Sequence, residues 1–333
     1  MVPPFPLSAG LPERLVVEGE FGAEVNSFVP FVYWLHLTGL MRGRQVCTYA
    51  GMRPFYFFLA DGEIAEEARP RRYVPPPARP AWLPNRDDHA ARRTGFEVFP
   101  DYRRHFRDGA FAGDKPLLVI HNKATAEWSG PPVNVIPLPI LDRLFGALTG
   151  RFRVVYLRPG IHGTPCGYSA DHQPDLPFDD LAVLQRHPEV VLFDEIAAER
   201  AGRTGYNETK LRLYAHADFH ITVQGGNAHL LTMFPGGMVA ILHRLGQEIR
   251  HSYRDGPFGY AAAPRPRWLI CRNPDELLVT IPLFRDAVMA DGQALLPPWH
   301  CHALRMLSPA AQCGDDRMMP DDLKAKPPVP FSV

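Results

Sequence analysis

No sign of charge prevails in this sequence: 36 lysines and arginines balance 36 aspartates and glutamates over 333 residues. Without a net field, attraction to nucleic acid or to an anionic membrane is not expected of the chain as a whole. Cysteine is scarce. The five present, Cys47, Cys166, Cys271, Cys301 and Cys313, are odd in number and mostly far apart, which argues against a disulfide framework and fits a reducing cytosol. No apolar run approaches the roughly 18 to 20 residues of a membrane span. The stretch Met1 to Ser8 lacks the basic region and sustained apolar core of an export signal, so a soluble, cytoplasmic protein is expected. Several motifs are missing as well. There is no G-x-S-x-G elbow, H-E-x-x-H helix or Walker loop, and no strict G-x-G-x-x-G with an acid about 20 residues beyond it. Their absence disfavours the commonest hydrolases, zinc proteases, P-loop NTPases and nicotinamide dehydrogenases.

What is present is a globular composition, 46% apolar, in a chain long enough for two domains with separate cores. Its 36 prolines are dense at residues 70–84 and 326–330, marking extended connectors and a loose tail. In the N-terminal part a short strand at Leu15 to Val17 leads through a glycine-spaced turn into an amphipathic helix from Val25 to Met41. Gln45 to Tyr49 and Pro54 to Leu59 read as further β material. From Lys115 onwards the pattern is regular. Strands are expected at Leu117 to His121, Arg153 to Leu157, Val190 to Phe193, Phe219 to Gln224, Met238 to Leu242 and Trp268 to Cys271. Helices are expected between them, at about 137–149, 179–187, 207–216 and 227–234, and beyond the last strand at 274–290. Such alternation predicts a doubly wound parallel sheet with ligands at the carboxyl ends of its strands. The expected division is 1–112, 113–295 and a tail, 296–333, that packs back on the first domain or is partly loose.

The stretch 218–248 organises this pattern. Phe219, Ile221 and Val223 alternate as in a strand, Gly225 and Gly226 break it, and Asn227 is expected to cap a short helix running to Phe234. Two glycines at a strand's carboxyl end let a ligand approach the backbone, and a following helix offers N–H groups to a phosphate. A bare tight turn would look similar, but Gln224, Asn227 and Glu248 add polar groups that packing alone does not need. At the end of the first regular strand stand Asn122 and Lys123, with Glu127 and Trp128 beyond. They read as a binding loop, or as a surface pair, Lys123 with Glu127, beside a space-filling Trp128. Arg158 follows the next strand and either grips a diphosphate or braces the sheet edge. Gly22, Glu24 and Asn26 lie at the first strand-to-helix turn. Glu24 is a candidate general base for an acceptor hydroxyl, or a charge favouring a helix N-terminus. His162, Cys166 and His172 match no usual zinc spacing, and the adjacent His300, Cys301 and His302 point in different directions, so no metal is expected.

Taken together, Phe21-Gly22-Ala23-Glu24, His121-Asn122-Lys123 with Glu127-Trp128, Val155-Tyr156-Leu157-Arg158-Pro159, and Val223-Gln224-Gly225-Gly226-Asn227 with Gly246-Gln247-Glu248 resemble GT-B-type glycosyltransferases, in particular bacterial surface-polysaccharide enzymes. The resemblance covers about residues 15–290. It implies two Rossmann-like domains, the N-terminal one small or truncated and on the acceptor side, the C-terminal one binding a nucleotide sugar. It implies that Gly225, Gly226 and Asn227 meet the diphosphate, that Glu248 meets ribose or sugar hydroxyls, and that Arg158 or Lys123 offsets leaving-group charge. Metal-independent transfer to a glycan or lipid-linked acceptor follows from the same likeness, with a nucleotide sugar as substrate, no resident cofactor, and room for peripheral association at the inner membrane face. Two other readings stand beside it: a non-catalytic nucleotide- or glycan-binding subunit of a polysaccharide assembly complex, and a pyruvyl or phospho-sugar transferase on the same fold.

Overall fold

The computed structural model describes residues 10–72, 74, 80, 82–83, 98–126, 131–162, 176–245, 253, 264, 266–290, 293–297, 300 and 307. Its N-terminal part holds a three-stranded parallel sheet in the order β1-β2-β3, made of β1 (Arg14–Val16), β2 (Gln45–Tyr49) and β3 (Ile64–Glu67). A short helix, α1 (Phe21–Ala23), runs through a π-helical turn, Glu24–Phe28, into α2 (Val29–Leu37). Pro30 explains the widened turn. It has no N–H for the carbonyl four residues back and its ring crowds that carbonyl, and the Val29 N–H instead bonds to the Glu24 carbonyl five back. The expected helix from Val25 to Met41 is thus shorter and irregular at its start. Pro54 to Leu59 is not β material: Arg53–Tyr56 is a 3-10 turn, and the third strand falls instead on Ile64–Glu67, too short and acidic to announce itself. The helix α3 (Tyr102–Phe106) closes this part, with the Asp101 side chain accepting from the Arg104 N–H at its N-terminus.

The larger sheet has six strands, all parallel: β4 (Leu117–His121), β5 (Arg153–Leu157), β6 (Val191–Leu192), β7 (Phe219–Val223), β8 (Met238–Leu242) and β9 (Arg267–Cys271), in the order β6-β5-β4-β7-β8-β9. Every residue of β4, β7 and β8 is buried, as expected for strands covered on both faces. One face is covered by α4 (Leu138–Leu148), α5 (Asp180–Leu184) and α9 (Pro274–Asp286). Across the sheet lie α6 (Phe193–Arg200), α7 (Tyr206–His216) and α8 (Gly226–Leu231). A hairpin of β10 (Val288–Ala290) and β11 (Gln293–Leu295) occupies part of the stretch expected as the end of the last helix.

The fold is mixed α/β with parallel sheets. Val25, Phe31, Val46 and Phe55 of the N-terminal part belong to the same apolar cluster as Val119, Val155 and Val239 of the large sheet. Among the described residues apolar packing therefore does not break at the boundary expected near residue 112. The N-terminal part joins this cluster by packing on the covering helices, α3 on α7 and α1 with the π-helical turn on α8. Each large side chain so buried contributes about 1.5 to 3 kcal/mol. No helix among the described residues is long and apolar enough to cross a membrane.

Candidate functional site

The chain leaves β4 towards β5 and β6 on one side, then returns to place β7 on the other side of β4. This reversal is the topological switch point of the sheet, where the connections after β4 and β7 diverge and where open α/β sheets place their ligands, at the carboxyl edge. The two loops that flank it are His121-Asn122-Lys123 and Gln224-Gly225-Gly226, the ones that stand out in the sequence.

Lys123 and Gly225 meet there. A Cβ built on Gly225 would lie 3.4 Å from Lys123 Nζ, an ordinary contact distance, so it is the backbone, with φ of +142°, that calls for glycine. Asn122, expected to touch substrate, is fully buried: its Oδ1 accepts from the Ile136 N–H at 2.9 Å and its Nδ2 donates to the Ile136 carbonyl at 3.1 Å. It pins the far end of the loop and so positions Lys123.

The first turn of α8 departs from the expectation in two ways. Its N-cap is Gly225, not Asn227, and the Asn227 side chain turns inward, accepting from the Tyr214 hydroxyl at 2.6 Å and donating to Thr222 Oγ1 at 3.3 Å. Gly226 is pressed against the N-terminal part. A Cβ there would lie 2.8 Å from Phe21 Cδ1 and 3.0 Å from the Gly22 backbone nitrogen. Gly22 and Gly226 thus let α1 and α8 approach, and on this side the close neighbour of Gly226 is protein. Gln224 is buried, with its N–H on the Leu242 carbonyl at 2.9 Å, and Asn26 is half-buried in the π-helical turn.

Glu24 and Arg158 each lie in a buried ion pair, with Arg71 and Asp180 respectively. Glu24, 1% exposed, accepts from Tyr56 at 2.7 Å and from Thr48 through Oε1, and from Arg71 at 2.6 Å through Oε2; Arg71 is itself 0% exposed. Burial, with the Glu24 charge beside it, pushes the Tyr56 phenol well up, so it remains a neutral donor. Arg158 forms a fork on Asp180, Nε at 2.6 Å and Nη2 at 2.9 Å, and the Tyr156 hydroxyl donates to the same carboxylate at 2.7 Å. Both side chains are held by buried partners and hold their elements in place.

Three groups near the carboxyl edge are given no role by the sequence patterns. His121 ends β4 on the face of Val119, which is the face turned to the N-terminal part. It is 8% exposed, and its Nδ1 has no hydrogen-bond partner among the described residues. Burial, then the charges of Lys210 and Lys123, lower its pKa to about 3. Lys210, on α7, is 4% exposed, with Nζ 4.8 Å from the Phe21 ring and 5.9 Å from each of Phe55 and Tyr206. Asp194, in the first turn of α6, has a buried Oδ1 without a partner among the described residues, and burial raises its carboxyl pKa against the pull of His162 and Arg158. A histidine that ends a buried strand is visible in sequence. The facing of a helix lysine towards it is not.

Glu127, Trp128 and Glu248 lie outside the described residues, as do Cys166, His172, Cys301 and His302. His300 bonds Asp286 at 2.8 Å, and among the described residues no group of three His, Cys, Asp or Glu side chains could hold a metal ion.

No protein-family profile matches the chain, and no curated protein matches it. Among solved structures, the wall teichoic acid polymerase TagF is similar over 75% of this chain and 51% of its own, at 11% identity and a TM-score of 0.27. A histidine-to-alanine variant of the same polymerase is similar over 72% of this chain and 49% of its own, at 12% identity and a TM-score of 0.28. The chain spans about half the length of the solved chains it matches. A likeness at these scores decides neither fold nor activity, and the fold stated above is read from strand order and packing alone.

Proposed function

We propose that this protein is a glycosyltransferase that moves a sugar from a nucleotide-diphosphate donor to a hydroxyl of a glycan or lipid-linked acceptor. The observation that carries the reading is the meeting of two loops at the switch point, where the loop after β4 sets Lys123 Nζ beside Gly225 of the loop after β7. An ammonium beside a side-chain-free turn suits the diphosphate of a nucleotide sugar, and its charge offsets the negative charge of the departing diphosphate without a metal. Gln224 and Glu248 are assigned to the donor in this reading, and Asn26, Glu127 and Trp128 to the sugar or acceptor. Asn122 and Arg158 act indirectly, through the loop and the sheet edge they brace.

A non-catalytic nucleotide-binding subunit is the second reading. What favours it is that Glu24, the first candidate for the base, has both carboxylate oxygens engaged. One experiment separates the two. Nucleoside diphosphates are screened by thermal shift in EDTA, and the sugar nucleotide of the one that binds is tested for transfer to acceptor glycans. Lys123→Ala should weaken the shift about tenfold or more in apparent affinity. Lys123 is the residue to change, because Gly226→Val would disrupt the contact with Gly22. Binding without turnover over a broad acceptor panel supports the second reading, and no binding at all refutes both.

A further inference from the structure

We propose that His121 is the catalytic base of the transfer, accepting the proton of the attacking hydroxyl, while Lys123 and Lys210 hold the donor's phosphates beside it. The proposal rests on the glycosyltransferase reading and names a residue at that same switch point.

Position is the first argument. His121 is the last residue of β4, at the switch point, and its side chain shares the face of Val119, towards the N-terminal part. A base that meets an acceptor approaching from that part has to stand on this face. Asn122, next in sequence, turns to Ile136 instead.

Availability is the second. His121 Nδ1 is buried with no partner among the described residues, whereas the carboxylates of Glu24 and Asp180 are each engaged by buried donors. Unpartnered buried polar atoms are uncommon because each costs about 1 to 3 kcal/mol. A hydroxyl delivered by a substrate would satisfy this one.

The third argument is the setting. Lys210 is a lysine in the middle of a helix, almost shut off from water and bordered by the rings of Phe21, Phe55 and Tyr206. Lysine is rarely buried so completely. Its charge and that of Lys123 both reach His121 and, together with burial, disfavour the imidazolium. With these charges beside it the ring is neutral, the form a base must have, but it is a weak base. A diphosphate between the two ammonium groups cancels much of their field at the ring and lets it hold a proton. Donor binding would in this way strengthen the base at the moment it is needed.

The step balances simply. The acceptor oxygen forms its bond to the anomeric carbon as the bond from that carbon to the phosphate oxygen breaks, with its electron pair staying on the nucleoside diphosphate. The hydroxyl proton moves to His121 Nδ1 and later leaves to water. Nothing is oxidised or reduced.

The test uses wild-type protein and His121→Gln. After a binding nucleoside diphosphate and its sugar donor have been identified, His121→Gln should bind that diphosphate within about threefold of wild type and lose about 10² to 10⁴ in kcat, the range for a removed general base. Turnover by His121→Gln within about threefold of wild type would overturn the proposal and leave the glycosyltransferase reading standing. No nucleoside diphosphate binding by the wild type would remove that reading and the proposal with it. A second measurement needs no variant to fold: in protein carrying ¹³C-labelled histidine rings, saturation with inorganic pyrophosphate should raise the His121 titration midpoint by at least about one pH unit. An unmoved midpoint at saturation would also overturn the proposal.

Discussion

Replacing Glu24 by glutamine tests most directly what this residue does. The carboxylate and the Arg71 guanidinium are both shut off from water, and the same carboxylate takes the hydroxyl hydrogens of Tyr56 and Thr48. Glutamine keeps the shape but removes the charge, leaving Arg71 buried without its counterion. Breaking a buried pair in this way costs about 3 to 5 kcal/mol. A glutamate that merely favours a helix N-terminus is worth only about 0.3 to 1 kcal/mol, so the two roles differ by several-fold in a measurable quantity. The assay is urea unfolding followed by far-ultraviolet circular dichroism, with the free-energy change taken from the shift in midpoint at constant slope. The double variant Glu24→Leu with Arg71→Met should regain most of the loss, because apolar residues of similar volume carry no desolvation cost. A loss below about 1 kcal/mol for Glu24→Gln would refute the buried-pair reasoning. So would a double variant at least as unstable as the two single variants combined.

Other expectations follow from the same structure. Gly226→Ala places its methyl against Phe21 and the Gly22 backbone, and should destabilise by about 1 to 3 kcal/mol in the same unfolding assay. Gly237→Ala should be worse, since φ is +77° and the new methyl would sit 2.2 Å from the Asp218 carbonyl oxygen; little soluble protein is expected on expression at 37 °C. His121 and His220 are both buried with pKa values lowered to about 3, His220 by burial first and then by the Arg103 charge. Their folded values lie below the unfolded value of about 6.5, so the unfolded chain binds more protons and stability falls as pH drops from 6.5 towards 3. At pH 5 each should cost about 2 kcal/mol, and urea midpoints measured from pH 7 to pH 4.5 check it; replacing either by glutamine should flatten the curve. Asp180→Asn should weaken the fork on Arg158 and the Tyr156 bond and lower stability by about 3 to 5 kcal/mol in the same unfolding assay.

The sequence by itself determined the parallel sheet. Runs such as Leu118 to Ile120 and Met238 to Leu242 are apolar at every position, and only a strand covered on both faces asks for that. It also marked two loops that the strand order places at the switch point. Lys123 and the Gly225 turn stand out because a charged residue and paired glycines at the ends of buried strands break the local pattern, and the observed strand order brings those two loops side by side. It could not decide how polar residues were spent. Glu24 and Arg71 are 47 positions apart and Arg158 and Asp180 are 22 apart, so no local spacing announces either pairing. Gly226 reads like a phosphate-binding glycine until the chain fold lays Gly22 on it. The α6 helix went unforeseen because it begins directly after a two-residue strand, with no turn residue between them. His121, Lys123 and Lys210 come together only when α7 packs on the face of β4. Local periodicity records which side of an element is apolar, and strand order and packing decide which charges meet across the space between elements.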